Sequence, residues 1–296
     1  MRHSHGGQWG NSSAIAKSAA GARAAVAAPL RATIPSSLLI SITIVKMHKG
    51  LFILLAALAP PVAAGAPLRV GGFVVAPIVS GDATAPLGGA LRAYMEQEMV
   101  GRGAADGGVQ LEWSAPTTFA RAMANLKIGR IDILLLVSGA RHLPVGYGAF
   151  SWSYLRAQPH LAVPRHSMLQ AVQSLQQLSG MEIGWLGGSE LPEGIRDVPI
   201  KWQLLAAPDW QLLNLHKLRA GRVQAVFFEN EYSPRYFARQ AGVAIELRKL
   251  PMPERAFRMA YSLKADPAAI AQFDRVGAAA FAGERFKLFL ERYMKR

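Results

Sequence analysis

No cysteine occurs anywhere in the chain's 296 residues. This excludes a disulfide framework, a thiol nucleophile, a zinc site built on thiolates and an N-terminal cysteine for acylation. Acidic residues are missing from the front: none precedes Asp82, whereas Arg2, Lys17, Arg23, Arg31, Lys46 and Lys49 all do. Those six leave 27 of the 33 Lys and Arg against 19 Asp and Glu, so much of the formal +14 remains with the rest of the chain. No apolar run reaches the roughly 20 residues that a bilayer-spanning helix requires. A basic and aromatic array suited to nucleic acid is also lacking, because the basic residues are interspersed with acids such as Glu246, Glu254 and Glu284. What is present, 51% hydrophobic and 18% charged, is the composition of a globular protein with one or two ordinary cores.

The front divides at Met47. Met47-His48-Lys49 supplies a basic region, Gly50 to Ala59 an apolar stretch, and Pro60 to Ala66 a run of small residues and prolines, which together read as a secretory signal peptide over 47–64. A cut after Ala66 would leave Pro67 first, a poor peptidase substrate, so the Val62-Ala63-Ala64 site with Gly65 as the new N-terminus is preferred. A single membrane anchor is the alternative, and the run is short for it. Residues 1–46 are rich in Ala, Ser, Gly and Arg without amphipathic rhythm, apart from the apolar patch Leu38 to Val45. They read as a mis-assigned start upstream of Met47 or a disordered extension, with a transit peptide as the other possibility. Export without an acylated cysteine predicts a soluble periplasmic monomer rather than a lipoprotein.

Two stretches 92 residues apart are nearly the same phrase: Leu126-Lys-Ile-Gly129-Arg130-Ile131-Asp132-Ile133-Leu134 and Leu218-Arg-Ala-Gly221-Arg222-Val223-Gln224-Ala225-Val226. Each leaves an apolar helical stretch, passes a glycine suited to the residue after a helix, and enters an aliphatic run that reads as a buried strand. The chain therefore holds two similar α/β units. Such units gather the carboxyl ends of their strands at a crevice, where folds of this type hold ligands. The predicted architecture is an α/β clamshell of two lobes: 65–153 with a return over 254–296 as lobe 1, 154–253 as lobe 2, joined by two crossings.

The first unit reads β-α-β-α-β: a strand from Leu68 to Val75, a helix from Ala90 to Met99, a strand from Val109 to Trp113, a helix capped by Thr117 or Thr118, and a strand from Ile131 to Val137. In the second, Met168 to Leu178 reads as a helix and Met181 to Leu186 as a strand running into Gly187-Gly188-Ser189-Glu190. That ending reads either as an anion seat at a helix start or as an ordinary tight turn. Trp210 to Leu218 is the second copy's helix, with Asp209 as its cap, and Val223 to Phe228 its strand. The strand ends on Glu229-Asn230-Glu231, carboxylates that are costly to bury and so point to the crevice.

The succession Leu68-Arg-Val-Gly, Leu126…Gly-Arg-Ile-Asp-Ile, Phe150-Ser-Trp-Ser-Tyr154, Ile183-Gly-Trp-Leu-Gly-Gly-Ser189, Leu218…Gly-Arg-Val-Gln-Ala-Val226 and Phe286-Lys-Leu-Phe-Leu-Glu-Arg-Tyr293 resembles the family 3 extracellular solute-binding proteins, the periplasmic amino-acid-type receptors of ABC importers. The resemblance covers about residues 67–296 and rests on the order of six weak motifs. It implies a type II-like clamshell that binds a small polar solute, amino-acid-like or a small organic acid, and delivers it to an inner-membrane ABC permease or a sensor. By the same resemblance, Gly188 and Ser189 would receive a ligand carboxylate and Glu229 a ligand ammonium, and Gln224 stands where the family has Asp. The carboxylate-clamping Arg of the family falls at Pro144, with Arg141 the nearest substitute. The family's binding aromatic falls at Ile78, and the acid of its first helix among Gly88, Gly89, Ala90 and Leu91. Ser138, Trp152 and Tyr154 complete the candidate ligand contacts, the aromatics by stacking or, equally, as core; Trp185 is open to the same two readings.

No cofactor or metal is expected: His142, His160, His166 and His216 lack ligand spacing. Gly187 to Glu190 lacks the frame of a hydrolase elbow. The expectation is a binding protein rather than an enzyme. Two alternatives stand beside it: a solute-binding-like accessory or signalling module, and a periplasmic dehydratase-like enzyme with Glu229 as general base.

Overall fold

The computed structural model describes residues 66–101, 108–138 and 146–295. The expected signal peptide, the extension before it, and Arg141, His142 and Pro144 lie outside the described residues. Two five-stranded sheets organise the chain. The first contains β1 (Leu68–Gly71), β2 (Leu111–Trp113), β3 (Ile133–Ser138), β4 (Leu155–Ala157) and β10 (Arg255–Tyr261), in the order β2-β1-β3-β10-β4. The second contains β5 (His160–Pro164), β6 (Glu182–Leu186), β7 (Lys201–Leu205), β8 (Ala225–Phe228) and β9 (Ile245–Lys249), in the order β7-β6-β8-β5-β9.

Each sheet follows one plan. Three parallel strands come first (β2-β1-β3 and β7-β6-β8), then an antiparallel neighbour of the third strand (β10 and β5), then an edge strand antiparallel to that neighbour (β4 and β9). The central strands β3 and β8 carry the two copies of the repeated phrase, and they lie in different sheets. Their near-continuous Ile, Leu, Val, Ala and Phe runs are buried on both faces, as parallel strands covered by helices require. Helices α2 (Phe119–Ile128) and α3 (Trp210–Arg219) lead into these strands, and α4 (Tyr232–Ala241) packs beside α3. In the first lobe, α1 (Ala90–Met95) runs on as a π-helical turn to Gly101, and Tyr94 meets Phe281, Phe286 and Phe289, aromatics from the end of α5 (Pro267–Ala280) and from α6 (Arg285–Tyr293).

The chain passes between the sheets at residues 158–159 and 250–254. Gln158 joins the crossings: its side-chain amide donates to the carbonyls of Leu250 and Met252, both at 3.0 Å, and its backbone N–H donates to Glu231 at 3.1 Å. Leu155–Ala157, expected in the second lobe, pairs with Arg255–Phe257 in the first sheet.

One expected helix is largely absent. Residues 168–178 contain only a 3₁₀ turn, Leu175–Leu178, because side chains take the bonds a helical ladder would need. The Leu169 carbonyl accepts from Arg248 at 2.7 Å, and the Gln173 N–H that would bond it in a helix donates to the Gln177 side chain at 2.8 Å. Among the described residues, no helix is long and apolar enough to cross a membrane, and no group of three or more His, Asp or Glu could hold a metal ion.

Candidate functional site

Both repeat copies reach their strands by the same local geometry. Gly129 and Gly221 adopt φ of 73° and 67°, the left-handed conformation that ends a helix. In the first copy Gly129 N donates to the Leu126 carbonyl and Arg130 N to that of Asn125; in the second, Gly221 N donates to Leu218 and Arg222 N to Lys217. Three residues past each glycine, a polar side chain ties the strand to its neighbour. Asp132 accepts from the backbone N–H and guanidinium of Arg69 on β1, at 2.9, 2.9 and 2.7 Å, and that pairing raises the Arg69 pKa further. Gln224 accepts from the Glu182 N–H at 2.9 Å, on β6. Gln224 is therefore a strand tether in the place of Asp132.

The strands then converge at their carboxyl ends. In β3 the pairing steps from Leu134↔Ala260 to Val137↔Arg258, so β3 carries one more residue than β10 across that interval. Leu136 absorbs the bulge at φ 59°, outside the usual range for a side-chain-bearing residue. Its N–H, displaced from the ladder, donates to the Tyr154 hydroxyl at 3.1 Å. Beyond the bulge the strand ends at Ser138, whose Oγ lies 2.7 Å from each carboxylate oxygen of Glu229, the residue following β8. Arg255, the first residue of β10, completes the group: its Nε and Nη2 lie 3.1 and 3.0 Å from Glu229 Oε1. The Arg255 and Glu229 side chains are 14% and 19% exposed. Water therefore screens this ion pair weakly. Ser138 and Arg255 come from the first sheet and Glu229 from the second, so the three form a polar bridge between the lobes.

Gly188 and Ser189 lie in the turn that ends β6. Gly188 has φ 86°, and a Cβ built there would lie 3.4 Å from that of Ala120, in the first turn of α2. The turn thus lies close against the first lobe. No helix begins at Ser189: turns lead from there to β7, so the helix-start reading is replaced by the tight-turn one.

The aromatic candidates are core residues. Trp152 packs between Phe273 and Phe281, and a Cβ at Gly277 would fall 2.0 Å from its ring. Tyr154 is 3% exposed, packs on Phe281 and Phe286, and spends its hydroxyl on the Leu136 bulge; burial raises its pKa, a shift that the Leu136 N–H partly opposes. Residues of α5, α6 and the link between them cover Tyr154, whereas Trp152 is half-buried and its indole packs on the same aromatic cluster. Trp185 likewise meets Trp210 and Phe227 inside the second lobe, and Ile78 is fully buried. Of the expected caps, Thr118 accepts from Arg121 N, whereas the Asp209 side chain makes no capping bond to α3.

The structure thus brings Ser138 and Glu229 together with Arg255, sets Gly188 and Ser189 in a turn against the first lobe, and buries Tyr154 in the aromatic core that Trp152 joins. Arg255 escapes a reading of the sequence because nothing around Pro251-Met-Pro-Glu-Arg255 distinguishes its charge from that of Arg258, three residues further along the same strand.

No protein-family model matches the chain, and no curated protein matches it by sequence. Solved structures do match. An ancestral arginine-binding protein bound to glutamine aligns with a TM-score of 0.59 at 18% identity, over 78% of this chain and 98% of that one. The amino acid ABC transporter substrate-binding protein AbpA from Streptococcus pneumoniae, bound to L-arginine, aligns at 0.60 and 20% identity, over 77% and 94%. The ancestral amino-acid-binding protein AncCDT-1, a precursor of cyclohexadienyl dehydratase, aligns at 0.57 and 15%, over 77% and 95%. These likenesses establish the fold: a two-lobed periplasmic-binding-protein clamshell.

Proposed function

We propose that the chain is a periplasmic receptor that binds a small polar solute between its lobes and hands it to an ABC permease or a sensor. The observation that supports this reading is the convergence of the two repeat strands on Ser138, Glu229 and Arg255, which puts directional polar groups at the crevice of a clamshell. Without a helix start behind them, Gly188 and Ser189 would offer the ligand's anionic end only the N–H groups and hydroxyl of their turn, with Arg141 as an additional charged contact. The comparison proteins bound to glutamine or L-arginine make amino acids and their organic-acid relatives the first solutes to try. A dehydratase-like role for Glu229 fits less well, because its carboxylate already pairs with the Arg255 guanidinium through Oε1 and shares the Ser138 hydroxyl.

The test is a thermal-shift screen of the exported protein, produced from Met47, against amino acids and small organic acids, followed by calorimetric titration of each hit. Saturable binding at one solute per chain, with ligand recovered unchanged by NMR, supports a receptor; a turned-over ligand makes it an enzyme. If no solute binds, the accessory-module reading replaces the receptor.

A further inference from the structure

We infer that the crevice selects small carboxylates that lack an ammonium group, 2-hydroxy or 2-oxo acids rather than amino acids. The inference rests on the solute-receptor reading and adds the ligand's chemical class.

Its basis is the state of Glu229. A carboxylate at the end of a strand in a crevice can receive a ligand ammonium only if its charge is unspent. Here the Arg255 guanidinium already lies at 3.0 Å and Ser138 Oγ at 2.7 Å, within a pair that is mostly out of water. An incoming ammonium would have to evict Arg255 or approach beside it. Eviction strands the guanidinium, and approach to Oε2 sets a second cation beside Arg255 on one carboxylate; either carries a charge penalty that an uncharged group avoids. A ligand hydroxyl or oxo group carries no such penalty, since Ser138 and the outer N–H groups of Arg255 are neutral or attractive to it. The remainder of the charge points the same way: 27 Lys and Arg against 19 Asp and Glu beyond the front give a field that concentrates anions. Arg255 thus stands in for a ligand's ammonium, as a built-in occupant of that subsite.

Matched pairs test this directly: alanine against lactate and pyruvate, glutamate against 2-hydroxyglutarate and 2-oxoglutarate, phenylalanine against phenyllactate, each titrated calorimetrically into the wild-type protein. At least one hydroxy or oxo acid should bind more tightly than its amino acid by roughly ten- to a hundredfold, the worth of one charge-assisted hydrogen bond. Arg255→Met should narrow or reverse that preference by freeing Glu229, and Arg255→Lys should keep it. An amino acid that binds as tightly as its hydroxy and oxo analogues overturns the inference and leaves the receptor standing. Silence across the whole panel, with the protein folded by circular dichroism, overturns the receptor reading and the inference together. The wild-type comparison decides even if Arg255→Met fails to fold.

Discussion

Removing one member of the Glu229–Arg255 pair strands a charge that water reaches poorly, and its cost can be worked from the geometry. At 3.0 Å the Coulomb attraction is about 5–6 kcal/mol for an effective dielectric of about 20. Desolvation of both groups offsets part of it, and residual exposure of 14% and 19% lets the stranded partner recover some hydration. Arg255→Met or Glu229→Met should therefore cost about 2–4 kcal/mol, less than breaking a fully buried pair. For a protein of this size each kcal/mol lowers Tm by about 2–4 °C, so the midpoint should fall by about 5–15 °C. The double variant should lose less than the two singles combined, because it strands nothing. Urea unfolding of the four proteins, followed by circular dichroism, gives the coupling energy, expected at about 2 kcal/mol. A coupling under about 0.5 kcal/mol would show a pair that is no stronger than an exposed one, and would remove the basis for treating Glu229 as neutralised.

Three further outcomes follow from the packing and from titration. Gly277→Ala should destabilise by about 1–3 kcal/mol in thermal unfolding, although alanine favours a helix by about 1 kcal/mol, because its Cβ would meet the Trp152 ring at 2.0 Å; a stabilised variant would show the ring free to move. Tyr154→Phe should cost about 1–3 kcal/mol by leaving the Leu136 N–H without its acceptor; unchanged stability in urea unfolding would show that the hydroxyl does not support the bulge. Burial raises the pKa of both Tyr154 and Tyr261, the latter also through its hydrogen bond to Asp274. Each raised phenol contributes stability that is complete below its unfolded value of about 10 and is lost as pH rises above it, at about 1.4 kcal/mol per pH unit per group. Tyrosinate absorbance from these rings should therefore appear together with unfolding; a smooth titration near pH 10 in a folded protein would contradict their burial.

The repeat was legible because its physical causes are local. A left-handed glycine behind a helix and an aliphatic run after it survive as letters in both copies, and they correctly assign β3 and β8 to separate sheets. Glu229 was legible for a similar reason, as a carboxylate closing a buried strand. Its partners depend on tertiary structure: Arg255 reaches it only because β10 returns to the first sheet beside β3. The bulge at Leu136 had no signal, since Leu134 to Val137 contains no glycine to mark a left-handed residue. Trp152 and Tyr154 could be core or site until α5, α6 and the link between them were placed over them. The missing helix at 168–178 failed for a different reason: apolar spacing gives no weight to Arg248 and Gln177, which compete for its backbone.

The bulge and the bridge belong to one piece of construction. A regular β3 would alternate its side chains without interruption, whereas one extra residue before Val137 reverses the phase of everything after it, Ser138 included. The cost is a leucine held at φ 59° and an N–H removed from the ladder, and Tyr154 offsets the second of these from within the aromatic core. Core aromatics thus act on the crevice at one remove. Tyr154 supports the Leu136 turn, that turn sets the direction of Ser138, and Ser138 meets Glu229 from the other lobe. Arg255 stands differently, because it follows the 250–254 crossing directly and its distance to Glu229 depends on the connection between the lobes more than on their separation at the mouth of the crevice. The Ser138 contact therefore joins the lobes at their strand ends, and the Arg255 contact pairs with Glu229 beside the crossing itself.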